Sequence, residues 1–406
     1  MRSNLSSRLG YMRKLKEKRN EESTSKKHTR RREPRGRVFE DWERRSPLVL
    51  KRTVYLPFSK GEAQEQGNPI SRGNTIGRKN TYRGFLVPQE RLENTLFYDF
   101  ETTGLSGGAG TYIFLAGVGR ISGKNIKVDQ LFLEDYPGEP DFLEELQSLI
   151  PADDLCVSYN GKRFDRHLLT TRSRMSGVEV NMGPQIDLLY PVRSIWKNAL
   201  GSCRLSHVEE KILDRGRADD IDGADIPECY FRYLRGEAAS CLEKVVEHHL
   251  KDIESLAYLL FAIEEAAEDP SLLVRPRARE GMGALLIKHG DEGGIKLLEE
   301  ELRRGSMGAG KLAALSYRRK KMHADMERVL IKMWEQEKGF FQGEALAKLY
   351  EHRRRDIKKA LKIVDELHLR SSFLTASKRK ELERRRDRLQ RKTAATPAEV
   401  QERREL

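Results

Sequence analysis

The alternation of short strands with helices between residues 96 and 173 constrains the fold of this chain more than any other feature. Four segments there are short, apolar and bounded by turns, as is typical of strands: 96–101, 112–119, 126–133 and 155–159. Amphipathic stretches at 141–149 and 164–173 predict helices. Strands interleaved with helices predict an α/β domain.

From Leu242 onward the sequence follows a helical pattern almost to its end. Three helical segments there resemble one another: those around 284–286, at 312–334 and at 345–367. Tyr317 and Tyr350 lie 33 positions apart, close to the ~34-residue period of helix–turn–helix repeats. An all-α array of helical hairpins is therefore expected after the α/β domain.

Composition excludes several classes of protein. The longest apolar stretch, 256–263, is far shorter than the ~18 residues that a membrane span needs, and the basic N-terminus lacks an apolar signal region. The four cysteines form no C-x-x-C pair, so neither a zinc ribbon nor a disulfide framework is expected. These features predict reduced thiols in a cytoplasmic protein without a membrane partner.

The basic excess lies at the two ends of the chain. The net charge of +13 divides into +10 for residues 1–37, +6 for residues 370–406 and −3 for the body between them. Both ends contain basic runs without apolar residues, so we expect them to be solvated or disordered. They act either as solubilising tails or as arms that attract phosphates, and charge alone leaves both interpretations open.

Carboxylates recur in three motifs along the α/β region. Asp99 and Glu101 lie two apart on a predicted strand, so both side chains leave the same face. Asp165 falls in the first turn of a predicted helix. His248 and Asp252 lie four apart on a later predicted helix and share a face. Taken alone, each motif also fits a structural role, such as a helix-dipole partner or a surface pair.

The combination and order of these motifs are more specific than any one of them. D-x-E at 99–101, N-G-x-x-F-D at 160–165 and H-x-x-x-D at 248–252 resemble the motifs of the DEDD exonucleases of the RNase H-like fold. Further stretches are similar to the bacterial YprB-type branch of that family: D-F-E-T-T-G-L at 99–105, D-L-L at 187–189 and D-G-x-x-I-P-x-x-Y at 222–230. In that branch a TPR-like helical region commonly follows, and residues 346–361 are similar to it.

The resemblance implies an RNase H-like fold, a mixed sheet flanked by helices, followed by an all-α helical-repeat (TPR-like) domain. It also divides the chain into five expected parts. These are a basic tail over 1–50, an N-terminal extension over 51–90, the exonuclease domain over 91–268, the TPR-like domain over 269–369 and a basic tail over 370–406.

The resemblance further implies a 3′–5′ exonuclease that uses two divalent ions, Mg²⁺ or Mn²⁺, to hydrolyse phosphodiester bonds. Four carboxylates would hold the ions: Asp99, Glu101, Asp165 and Asp252. His248 stands where the YprB-type pattern has its histidine and is therefore the expected general base, with His249 as the less favoured substitute. Asp187 is left open between a metal-adjacent role and a structural cap.

Substrate contacts are also implied by the resemblance, for a set of residues around the motifs: Thr102, Gly104, Leu105, Asn160 and Phe164. The expected partner is nucleic acid with a single-stranded 3′ end, and a protein partner for the helical repeat is also open. The motifs do not encode the 2′-hydroxyl contacts that separate RNA from DNA. Two other interpretations stay open, a catalytically weak or inactive scaffold and an endonuclease.

Overall fold

One mixed sheet of seven strands forms the centre of the N-terminal part. The computed structural model describes residues 39–58, 82–104, 110–237, 240–275, 277–370, 372 and 374–394. The strands are β1 (Glu43–Ser46), β2 (Val49–Pro57), β3 (Thr95–Thr102), β4 (Ile113–Ser122), β5 (Asn125–Leu133), β6 (Leu155–Ser158) and β7 (Gln185–Asp187). Their order is β1-β2-β5-β4-β3-β6-β7. β3 runs antiparallel to β4 and parallel to β6, and β6 runs parallel to β7.

Within the described residues, six α-helices accompany the sheet and seven follow it. The first six are α1 (Glu139–Leu149), α2 (Asp165–Ser176), α3 (Leu189–Leu200), α4 (Leu205–Val208), α5 (Ile226–Leu234) and α6 (Ser240–Glu268). The later seven are α7 (Ala278–Lys288), α8 (Gly293–Arg303), α9 (Met307–Arg319), α10 (His323–Gln336), α11 (Phe340–Leu349), α12 (Ile357–His368) and α13 (Ala376–Ala394). The predicted α/β domain followed by a helical region is confirmed.

The central strand β3 is covered on both faces because its side chains alternate between two apolar clusters. Tyr98 and Phe100 belong to a buried cluster with residues of α1 and α2. Phe97 belongs to another, which includes Ile253 of α6. Since side chains alternate along a strand, Asp99 and Glu101 follow Phe97 on the α6 face. The carboxylate pair therefore lies between the sheet and α6.

A glycine in β4 sets how closely α6 approaches the sheet. A Cβ atom at Gly117 would lie 2.1 Å from Cδ1 of Ile253 and 2.5 Å from Cε1 of His249. Any larger residue would push α6 outward, so only glycine permits this backbone approach. The close contact brings the middle of α6 to the strand pair β3–β4.

The helices after the sheet pack in chain order, each against the next. The helices from α8 onward share one apolar cluster, to which Tyr317 and Tyr350 both belong. The first of the helices after the sheet, α7, also contacts α3. A Cβ at Gly281 would lie 2.0 Å from the carbonyl oxygen of Ser194, and Met282 shares the α/β domain's cluster with Trp196. The cores of the two regions are therefore continuous at this joint.

Two of the expected domain boundaries differ from the structure. Glu43–Ser46 was expected in a basic tail and Val49–Pro57 mostly in an extension, but both are strands of the sheet. β1 lies at its edge and pairs with β2, and β2 pairs with β5 along its whole length. The basic charge of this segment hid its apolar side chains, since Trp42 and Leu50 are buried against Phe132 and its neighbours.

The second difference lies in the C-terminal tail. Residues 376–394 form the helix α13, although they were expected to lack packing. Leu382 and Leu389, seven positions apart, face the helical region's core and are buried. Two leucines at this spacing suffice to dock a helix whose other face is charged.

In the described residues, no helix is both long and apolar enough to span a membrane. All four cysteines are free thiols, as expected.

Candidate active site

Three elements bring the expected acidic residues to one place. Asp99 and Glu101 lie on β3, Asp165 is the first residue of α2, and His248 and Asp252 lie on α6. One ligand atom from each of Glu101, His248 and Asp252 lies within 4.8 Å of the other two. A metal ion could therefore bridge the strand and the helix at this point.

The electrostatics of the cluster include Asp99 and Asp165 as well. Burial, followed by the charges of Asp252 and Glu101, raises the pKa of Asp99 well above its usual range. Burial and the charges of Asp252 and Asp165 raise the pKa of Glu101 to about 8. For Asp165, burial and then Asp187 raise the pKa to about 7. Each carboxylate thus lies close enough to others to disfavour its own ionisation.

No lysine or arginine in the described part of the chain forms an ion pair with Asp99, Glu101 or Asp165. Asp252 differs, because its Oδ1 accepts a hydrogen bond from Arg217. Arg217 also pairs with the fully buried Glu209 and lies 3.3 Å from Asp220. The described residues therefore supply one cation at the edge of the cluster and none at its centre.

His248 faces the carboxylates with one ring nitrogen and turns the other away. Its Nε2 lies 3.4 Å from Oδ2 of Asp252. Its Nδ1 lies 2.8 Å from Oδ1 of Asp220 and 3.2 Å from Arg217. An acceptor at Nδ1 favours the tautomer with the proton there, which leaves the Nε2 lone pair directed at the carboxylate cluster.

The neighbouring His249 is buried and engaged at both nitrogens. Nδ1 lies 2.8 Å from Nε2 of Gln130, and Nε2 lies 3.0 Å from the carbonyl oxygen of Asp99. The amide of Gln130 donates to Nδ1, so Nε2 carries the proton and donates to that carbonyl. Burial lowers the pKa of His249 to about 3. His249 thus holds β3 against α6, and of the two histidines His248 alone offers a free nitrogen to the cluster.

The turn between β6 and α2 is shaped by Asp187 and Asn160. Asn160 has the left-handed φ of 64°. Its backbone N–H donates to Oδ1 of Asp187 at 2.8 Å, and the N–H of Leu189 donates to the same oxygen at 3.0 Å. Asp187 thereby caps this turn, and its charge contributes to the raised pKa of Asp165. The two hydrogen bonds fit the structural-cap role, and a metal-adjacent role for Asp187 stays a prediction.

The residues expected to contact substrate border the same end of β3 and α2. Thr102 ends β3, and its hydroxyl donates to the carbonyl oxygen of Gly104 at 3.0 Å. Phe164 directly precedes α2 and is half-buried. Leu105 lies outside the described residues. The structure brings Thr102 and Gly104 to the end of the strand that carries Asp99 and Glu101, and Asn160 and Phe164 to the turn before Asp165.

Sequence patterns missed three residues of the site, namely Glu209, Arg217 and Asp220. They lie on a π-helical turn (Glu209–Leu213) and in the irregular segment that follows. Their spacing from His248 follows no helical or strand period, because the chain between them folds back on itself. The one available signal was the charge density of residues 209–220, which also fits a solvated loop.

This domain has a mixed sheet flanked by helices and a carboxylate cluster on its central strand, and the predicted RNase H-like fold is confirmed. Residues 96–263, from β3 into α6, match a family model described as the RNase_H superfamily. The chain is also 28% identical over 370 residues to YprB of Bacillus subtilis (strain 168), an uncharacterized protein, with 87% of each chain covered. The predicted resemblance to the YprB-type proteins is therefore confirmed.

Two solved structures of Escherichia coli exonuclease I are also similar to part of the chain. One is a zinc-bound form in complex with single-stranded DNA, and the other is a complex with a dA16 oligonucleotide. Each is 16% identical, with a TM-score of 0.29 over 44% of this chain. The match spans 41% and 42% of those chains, less than half of their length.

Proposed function

We propose that this protein is a metal-dependent 3′–5′ exonuclease that hydrolyses phosphodiester bonds of nucleic acid with two divalent ions. The observation that carries the proposal is the convergence of Glu101, His248 and Asp252 within 4.8 Å, beside two further carboxylates. Four acids placed together with no central lysine or arginine among the described residues make a poor structural core. They make a good site for divalent cations.

The donor set fits Mg²⁺ or Mn²⁺, because carboxylate oxygens dominate it and thiolates are missing from the group. Asp99, Glu101, Asp165 and Asp252 would hold the ions. When bound, a pair of divalent ions stabilises the negative charge that develops on the attacking and leaving oxygens of a phosphodiester.

His248 supplies the proton acceptor. Its Nε2 takes a proton from the attacking water, since Nδ1 is committed to Asp220. Asp220 and Arg217 hold the ring in place and thereby orient the base.

The 3′ end of a strand would be held by the residues around β3 and the turn before α2. Thr102, Gly104 and Leu105 belong to the first group, and Asn160 and Phe164 to the second. Either DNA or RNA fits this proposal, because none of these contacts is specific for a 2′-hydroxyl.

The test is hydrolysis of single-stranded DNA and RNA oligonucleotides by the full chain, with Mg²⁺ or Mn²⁺ and with a chelator as control. Substrates labelled at the 5′ end should give a ladder that shortens by one nucleotide at a time from the 3′ end. Internal fragments at the earliest times would show an endonuclease instead. Binding without any hydrolysis would favour the inactive scaffold.

A further inference from the structure

We infer that a groove beside His248 binds the phosphate backbone of the nucleic-acid strand, with Arg204 as its main contact. This inference rests on the proposed function, because it assigns the groove to the same substrate. The groove encloses about 670 Å³. Its polar lining comes from the segment between α3 and α5 and includes Ser202, Arg204, Ser206, His207, Arg217 and Asp220.

The groove adjoins the candidate active site directly. Arg217 and Asp220 line it, and both also contact Nδ1 of His248, at 3.2 and 2.8 Å. The other ring nitrogen faces Asp252. The groove and the carboxylate cluster therefore lie on opposite edges of one imidazole ring. A strand whose terminal phosphodiester lies at the carboxylates can continue into the groove.

Arg204 is the lining residue whose positive charge is available to a ligand. It is exposed, and within the described residues its guanidinium forms no ion pair or hydrogen bond. Arg217, by contrast, is committed to Glu209 and Asp252. Glu210 also lines the groove, but Lys211 pairs with its carboxylate. An unpaired guanidinium beside hydroxyl groups is suited to bidentate binding of a phosphate.

Further positive charge lies next to this segment. Arg193 and Lys197 of α3 both act electrostatically on the thiol of Cys203, which lies in sequence between the groove-lining residues Ser202 and Arg204. In the part of the chain that the structure describes, neither forms an ion pair. Three cations without carboxylate partners are thus grouped near the site, in a body whose net charge is negative.

The side chains that line the groove suit the phosphate backbone of a nucleic-acid strand better than its bases. None of the described residues that line the groove is a phenylalanine, tyrosine or tryptophan, so the imidazole of His207 is the one ring among them on which a base could stack. Its donors are a guanidinium, an imidazole and hydroxyl groups, which suit phosphate oxygens. Contacts of this kind position a strand without reading its sequence.

The experiment measures binding of a labelled single-stranded oligonucleotide in chelator at several salt concentrations, for the full chain and for Arg204→Ala. We expect about fivefold weaker binding at low salt and a log–log salt slope that is shallower by about 0.7, the value for one lost phosphate contact on a single strand. Arg204→Lys keeps the charge and should retain the slope. With Mg²⁺ present, the loss should appear in KM rather than in kcat.

Arg319→Ala is the matched control, because Arg319 is an exposed arginine of the helical region without an ion pair among the described residues. If Arg204→Ala and Arg319→Ala give the same slope and the same KM while the wild type hydrolyses the oligonucleotide, the groove is not a phosphate site and the proposed function stands. If the wild type hydrolyses nothing but Arg204→Ala still flattens the slope, the groove stands and the exonuclease proposal fails.

Discussion

A buried carboxylate of the helical region and the buried carboxylates of the candidate active site have opposite electrostatic surroundings. In the helical region the side chain of Glu351 is fully buried and is surrounded by Arg385, Arg388 and Lys392 of α13. Burial alone would raise the pKa of Glu351, but hydrogen bonds and charges from Arg388 and Lys392 lower it to about 2. In the α/β domain, Asp99, Glu101 and Asp165 form no ion pair with a lysine or arginine of the described residues, and their pKa values are raised.

The difference separates a structural acid from acids kept for a ligand. A buried charge is costly unless it is paired, and α13 supplies the pairing for Glu351. The chain supplies no such cation to Asp99, Glu101 or Asp165 within its described residues. Strongly perturbed acids in a group are typical of functional sites. Since no cation among the described residues offsets them, a bound divalent ion is suited to that role.

The largest effect is expected for Asp99→Asn and for Asp165→Asn. Each removes a ligand, so hydrolysis of a labelled single-stranded oligonucleotide should be abolished with either divalent metal. Each also removes like-charge repulsion, so the thermal melting temperature should stay the same or rise. Wild-type turnover in either variant would show that the cluster does not bind the catalytic ions.

His248→Ala is expected to lower kcat by roughly 10²-fold, the lower end of contributions from a general base. The fold should remain intact, because the ring lies at the edge of the cluster. The comparison variant is His249→Ala, which loses two buried hydrogen bonds and should lower the melting temperature instead. If His249→Ala were the catalytically damaging change and His248→Ala harmless, the roles of the two histidines would be reversed.

Local sequence patterns predicted which residues of the site share a face, but they did not predict the residues that surround them. Alternation along β3 predicted that Asp99 and Glu101 share a face, and helical spacing predicted the same for His248 and Asp252. Both predictions rest on the short residue period of a strand or of a helix. The contact of Asp220 with His248 joins residues 28 positions apart through an irregular segment, and no local period encodes it.

His248 and His249 show the same limit of prediction from local sequence patterns. Adjacent on α6, they differ in role because Gly117 of β4 lets the helix approach so closely that His249 is enclosed. That approach depends on the packing of a strand more than 100 positions away in sequence. Likewise, the basic composition of α13 concealed Leu382 and Leu389, which are buried in the core of the helical region.

Glu351→Gln should have the opposite effect to the changes in the cluster, with stability lost and hydrolysis unchanged. Breaking a buried ion pair costs ~3–5 kcal/mol, but Arg388 and Lys392 are 43% and 45% exposed and regain hydration. We therefore expect about 2 kcal/mol, measured by urea denaturation. Glu335→Gln, an exposed glutamate of α10, is the control and should change little. An unaltered midpoint for Glu351→Gln would mean that the ion pairs of Glu351 do not stabilise the docking of α13.

The smallest expected effect is a change with pH in the difference in unfolding free energy between the wild type and Glu351→Gln. Because the pKa of Glu351 is lowered from 4.5 to about 2, its pairing contributes fully above about pH 4.5 and is lost as the pH falls towards 2. The groups that face Glu351 are Arg385, Arg388, Lys392 and His352. The difference in unfolding free energy between the wild type and Glu351→Gln should therefore be constant near pH 5 and shrink by pH 3. Urea denaturation of both proteins at pH 5, 4 and 3 measures it, and a difference that grows on acidification would contradict the assigned pairing.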